Sequence, residues 1–105
     1  MKFVQVITTI DSEKKAEEIA QTLLKLRLAA CIQILPMKSL YWWKDKIAKT
    51  REWLIIAKAR ETDYSAVEDA IKSIHTYSIP EIIVVPIIRG NKPYLEWLTN
   101  ETKRN

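Results

Sequence analysis

A single glycine, Gly90, stands in 105 residues, so the chain has no glycine-rich loop to cradle a phosphate and no Walker or nucleophile-elbow turn. One cysteine, Cys31, excludes an intramolecular disulfide framework and suits a reducing compartment. Its neighbours Leu28, Ala29, Ala30 and Ile32 favour a small buried thiol over a reactive one. One histidine, His75, leaves no HExxH motif and no His or Cys cluster at ligand spacing. No apolar run approaches the ~18 residues of a membrane span, and no basic segment followed by an apolar one opens the chain. The expectation is a soluble cytoplasmic protein with no membrane partner, and with no catalytic motif it is not an enzyme.

What is present describes one globular domain over residues 1–105. Hydrophobic residues make up 48% and charged residues 29%, a balance that supports a core and excludes disorder. Seventeen basic against thirteen acidic residues give a net charge of +4, a mixed surface that argues for no nucleic-acid partner.

Phe3-Val4-Gln5-Val6-Ile7 is β-branched and aromatic and reads as a first strand stopping at Thr8-Thr9. Asp11 or Ser12 caps a first helix in which Ala16, Ile19, Ala20, Leu23 and Leu24 form one stripe, ending near Arg27. Residues 29–35 are apolar apart from Gln33, Pro36 interrupts them, and the pattern resumes over 39–43. After a turn at Lys44-Asp45-Lys46 a long extended segment, 47–60, returns to complete a hairpin. Thr62 or Asp63 caps a second helix that aligns Tyr64, Val67, Ala70, Ile71 and Ile74, with Glu68 and Lys72 paired on its other face. A strand over 82–88 follows, with Pro86 marking a bulge or sheet edge. Gly90-Asn91 turns the chain, and Pro93 opens a short last helix.

The order strand, helix, strand, strand, helix, strand predicts an α+β, ferredoxin-like β-α-β-β-α-β antiparallel sheet with a long central hairpin and a short C-terminal helix. Two helices cover one side of such a sheet. The first, third and fourth strands are apolar on both faces, so the second face needs cover from copies of the chain.

Five segments in order resemble the CutA family of divalent-cation tolerance proteins. They are Val6-Ile7-Thr8-Thr9, Leu26-Arg27-Leu28-Ala29-Ala30-Cys31, Ser39-Leu40-Tyr41-Trp42-Trp43-Lys44, His75-Thr76-Tyr77-Ser78-Ile79-Pro80-Glu81-Ile82 and Tyr94-Leu95-Glu96-Trp97. The resemblance implies a compact homotrimer with a role in tolerance of copper and other divalent ions. It also implies a glycine in the tight turn, where this chain has Asp45. For some members the implied metal ligands are a cysteine and two adjacent histidines, and this chain has Thr8, Ile74 and His75 at those positions.

His75 and Glu81 are the candidate ligands for a divalent metal ion such as copper, through a neutral imidazole nitrogen and a carboxylate. Against this stands a plain structural role, in which His75 caps the second helix and stacks on Tyr77. Lys58 and Tyr77 are candidates for a small-ligand pocket between subunits. This pocket belongs to the alternative reading, a trimeric signalling or adaptor module that binds a small anion at its interface. Tyr41, Trp42 and Trp43, flanked by lysines, read either as an RNA-stacking surface or as interface anchors; the aliphatic strand around Ile55 lacks an RNA-recognition signature, which favours the interface.

Overall fold

The structure is a computed structural model that describes residues 2–104. Its elements run β1 (Phe3–Ile10), α1 (Glu13–Lys25), β2 (Cys31–Trp43), β3 (Lys46–Arg60), a single 3-10 turn (Glu61–Asp63), α2 (Tyr64–Ile74), β4 (Ile82–Ile87) and α3 (Lys92–Glu101). The four strands form one antiparallel sheet in the order β2-β3-β1-β4. This is the split β-α-β arrangement expected from the element order.

Period-2 alternation sorts the strands into two faces. Val4, Val6 and Ile10 of β1 and Ile55, Ala57 and Ala59 of β3 point to the side on which α1 and α2 lay Ala16, Ile19, Leu23, Val67 and Ile71, and these residues form the buried core. Burying each large member stabilises the fold by about 1.5–3 kcal/mol. Helix α1 begins where the Ser12 hydroxyl accepts from the Lys15 N–H at 3.2 Å. It stops at Arg27, whose φ of 58° turns the chain left-handed. The Leu28 and Arg27 N–H groups then return to the Leu23 and Leu24 carbonyls, both at 3.0 Å. Leu28 and Leu23 are both buried there.

Four local expectations change. β1 continues to Ile10 because Thr8 and Thr9 are β-branched and sit opposite Ile55 and Leu54 in the ladder. β2 passes through Pro36 unbroken, because β2 is an edge strand and a missing donor costs little there; Pro86 sits in β4, the other edge. The strand β4 ends at Ile87, one residue short of the expected 88. Neither Thr62 nor Asp63 caps α2 through its side chain. The Asp63 carboxylate instead holds Arg104 at 2.7 Å.

Two features position everything that follows. The β1 ladder with β3 spans Trp53–Arg60 of β3, so the β2-β3 hairpin beyond it, residues 37–52, is a two-stranded arm with no third strand beside it. The arm reverses on Lys44 and Asp45, with φ of 50° and 62°, a two-residue turn made without glycine. The second sheet face is also not wholly bare, because α3 packs on one end of it. Arg60, on that face, donates to the Thr102 hydroxyl at 2.7 Å and the Thr99 carbonyl at 2.9 Å. The Tyr94 phenol is pushed above its ordinary range, by burial first and then by the adjacent Cys31 sulfur. The rest of that face, including Ile7, Leu35, Leu54, Ile56, Ile83 and Val85, has no helix over it, and Leu35 and Ile83 remain 46% and 48% exposed.

Two buried side-chain oxygens among the described residues lack a hydrogen-bond partner: Oδ2 of Asp63, whose other oxygen holds Arg104, and the Thr8 hydroxyl, in a side chain 1% exposed on the core face. Valine keeps its shape without the desolvated polar atom. Thr8→Val is therefore expected to raise the urea-unfolding free energy by about 1 kcal/mol, and a loss of stability would mean that the hydroxyl has a partner.

Candidate functional site

Where the arm leaves the sheet, the segment between α2 and β4 folds beneath it, and the two enclose a cleft of about 770 Å³. Its arm side carries Ser39, Tyr41, Trp43, Thr50 and Glu52. Thr9 and Asp11 border it at the end of β1, and Tyr77, Ser78, Ile79 and Glu81 come from the α2-β4 segment.

His75 holds that segment in place. Its backbone N–H bonds to the Ile71 carbonyl at 2.9 Å, closing α2. Nδ1 accepts from the Tyr77 N–H at 3.1 Å, so the proton lies on Nε2, which donates to the Thr9 carbonyl at 2.7 Å. The ring meets Tyr77 edge-on, with centroids 4.7 Å apart. Both nitrogens are thus used in stitching the loop to β1, and a metal at either would displace one of these bonds.

Tyr77 passes its phenol to Glu52, donating to Oε2 at 2.6 Å. Burial, then the Glu52 hydrogen bond and charge, raise the phenol well above its ordinary value of 10.0. Glu52 is only 4% exposed, unusual for a carboxylate on a projecting hairpin. Sequence reasoning missed it. The available signal was its isolation: it is the one acid in a strand that also holds Lys46, Lys49, Arg51, Lys58 and Arg60. Across the arm, the Tyr41 and Thr50 hydroxyls meet at 2.8 Å on the cleft side.

The fold brings Tyr77 and Glu81 to one cleft, with Glu81 exposed at its border, while His75 stays out of the lining and packs against Tyr77. It does not bring Lys58 there. Lys58 lies six residues along β3 from Glu52, roughly 20 Å away, beside the Gln33 side chain on the sheet face. Tyr41, Trp42 and Trp43 border the cleft and are 39%, 72% and 45% exposed, so the expected interface anchors have uncovered area to bury. Among the described residues no three His, Cys, Asp or Glu side chains gather closely enough to hold one ion. A resident metal centre built from a single chain does not fit these side chains.

The strand order and the helix pair define a ferredoxin-like α+β protein whose central hairpin outgrows its sheet. Residues 4–101 match the family model described as CutA1 divalent ion tolerance protein. The chain is 41% identical over 93 residues to the divalent-cation tolerance protein CutA of Archaeoglobus fulgidus, covering 89% of this chain and 91% of that one. It is 37% identical over 103 residues to the chloroplastic protein CutA 1 of Oryza sativa, covering 97% of this chain but spanning only 58% of the rice protein. A solved structure described as the periplasmic divalent cation tolerance protein CutA from A. fulgidus superposes with a TM-score of 0.94 at 38% identity, over 96% of this chain and 99% of that one. The chain belongs to the CutA1 divalent ion tolerance family.

The Tyr77–Glu52 bond makes two measurable demands. Tyr77→Phe leaves a buried carboxylate oxygen unpartnered and is expected to cost about 1–3 kcal/mol in urea unfolding. The fold holds the Tyr77 proton more tightly than the unfolded chain does, so the stability it contributes is complete below pH 10.0 and drains away as pH rises above that value. Tyr64 and Tyr94 shift in the same direction. The variant is therefore expected to flatten one share of the alkaline decline, and an unchanged alkaline profile would remove Tyr77 from this role.

Proposed function

We propose that the chain serves divalent-cation tolerance as a non-enzymatic cytoplasmic homotrimer, meeting copper or a similar divalent ion weakly rather than storing it in a built centre. The observation that carries the assembly is apolar strand surface without cover. Leu40, Trp42 and Ile47 on the arm are 62%, 72% and 64% exposed, and Ile83, Val84 and Val85 line an edge strand. An isolated two-stranded ribbon is marginal in water, and an exposed apolar edge invites pairing. Arm and edge are different surfaces, so a contact of one with the other is head-to-tail, and such a contact forms a ring when its rotation closes. The resemblance to the CutA family implies three copies in that ring. The unpaired Cys31 supports a reducing compartment.

For the ion, the engaged nitrogens of His75 turn the reading toward carboxylate oxygen. Glu81, exposed at the cleft border, is the first candidate, with further ligands supplied by a neighbouring copy. The alternative, an anionic ligand at the interface, has less support: Asp11, Glu52 and Glu81 border the cleft against Lys38 alone, and Lys58 is on another part of the sheet.

Sedimentation at micromolar concentration is expected to give a trimer, and Trp42→Ser to weaken it; a wild-type monomer would end the reading. In copper calorimetry Glu81→Gln is expected to lose affinity severalfold and His75→Ala to keep it. A folded His75→Ala variant that no longer binds copper would return the histidine to the ligand set.

A further inference from the structure

The sheet face that α1 and α2 leave uncovered carries few charges. Alternation along the strands turns Gln5 and Ile7 of β1, Gln33 and Leu35 of β2, and Ile83 and Val85 of β4 to that side, and none of these three strands adds a charged side chain there. The charges come from β3: Lys46 at the tip of the arm, Glu52 at its foot, Lys58 on the body, and Arg60, which is committed to the Thr99 carbonyl and the Thr102 hydroxyl of α3. Among the described residues no ion pair includes Lys58 or Glu52. The Lys58 ammonium donates to the side-chain carbonyl of Gln33, a neutral acceptor. Glu52 accepts from the Tyr77 phenol at Oε2. Its Oε1 has no partner in the chain and is not among the buried unpartnered oxygens, so it reaches the surface. An ionised carboxylate accepts at both oxygens, and this one has an acceptor to spare.

Within one copy the two charges do not meet, because six residues of extended strand hold them roughly 20 Å apart. Both lie on the face that assembly has to cover, and an ammonium covered with no anion beside it carries a large desolvation cost. We propose that Lys58 of one copy pairs with Glu52 of the next, so that the foot of one arm sits over the body of its neighbour. Assembly through this face, proposed above, is presupposed; the pair adds its register and says which residues each copy contributes. Glu52 is the one acid that the strands place on this face, so a strand-to-strand contact has no other carboxylate to offer Lys58. Registers that align like ends put Lys58 on Lys58 or Glu52 on Glu52, and like charges brought together under cover select against them. Leu54 and Ile56 lie between the two charges on the same side of β3 and supply the apolar surface beside the pair.

A double-mutant cycle on the assembly tests the pairing, with sedimentation over a dilution series as the readout and circular dichroism as the check on folding. Lys58→Met and Glu52→Gln each strand the opposite charge under cover, and each is expected to raise the concentration at which the trimer dissociates by about tenfold or more. The double variant strands neither, and is expected to be no weaker than either single one. Sites so far apart in one chain are otherwise independent, so the coupling reports contact between copies. Lys46→Met combined with Glu52→Gln is the control, for which the two effects are expected to multiply. Lys58 is half-buried and bonded only to Gln33, so Lys58→Glu keeps the test decisive if Glu52→Gln fails to fold. Facing an acid, it is expected to dissociate at a higher concentration than Lys58→Met. Losses that multiply in the Lys58 cycle, coupling of Glu52 to Lys46 instead, or equal effects of Lys58→Glu and Lys58→Met would overturn the pair while leaving a trimer. A wild-type monomer would overturn the pair and the assembly together.

Discussion

Strand β3 belongs to two structures at once. Residues 53–60 lie between β1 and β2, where Ile55, Ala57 and Ala59 close the core beneath the helices. Residues 46–52 have only β2 beside them, and there the same strand becomes half of an arm. A ladder with one neighbour and no helix beneath it buries little apolar surface, yet this one carries Leu40, Trp42 and Ile47. The chain thus builds more β-structure than it can cover, and that excess shapes both its surface and its cleft. The molecule measures 45 × 26 × 21 Å, a length consistent with an arm standing off a small body.

The arm also explains where the chemistry gathers. On its cleft side it holds Tyr41, Thr50 and Glu52 over the segment that His75 pins to β1. On its other side Arg51 lies over the Trp53 ring at 5.7 Å, near Lys49. One ribbon therefore offers an acidic, aromatic face and a basic one. Family membership supplies the divalent-cation role; the side chains of one copy add that His75 serves the fold with both nitrogens and that the deepest carboxylate answers to a tyrosine.

Much of the fold was legible because its signals are local. The apolar stripe of α1, the Glu68–Lys72 pair at 3.1 Å and the short helix after Gly90-Asn91 with Pro93 in its first turn all follow from residues within a turn or two of one another. The doubly apolar strands were equally plain. What escaped depends on contacts between distant parts of the chain. Glu52 reads as a surface acid until Tyr77, 25 residues on, closes over it. Lys58 and Tyr77 looked like partners because both sit at the ends of apolar runs, but position along β3 separates them. The partial cover of the second face by α3 hangs on Arg60 reaching Thr102 across 42 residues, a pairing with no local signature. His75 is the middle case: its identity marks it as a possible ligand, and only the placement of the Thr9 carbonyl and the Tyr77 N–H commits both its nitrogens.

The proposed assembly requires that the arm be ordered by contact with another copy of the chain. Hydrogen–deuterium exchange followed by peptide mass spectrometry reads this directly, since backbone amides in an uncovered two-stranded ribbon open far more easily than those in a packed sheet. At micromolar concentration the amides of residues 37–50 are expected to be protected nearly as well as those of β1, and to lose that protection selectively on dilution below the association range. Rapid exchange of the arm at every concentration, with β1 protected throughout, would contradict the account.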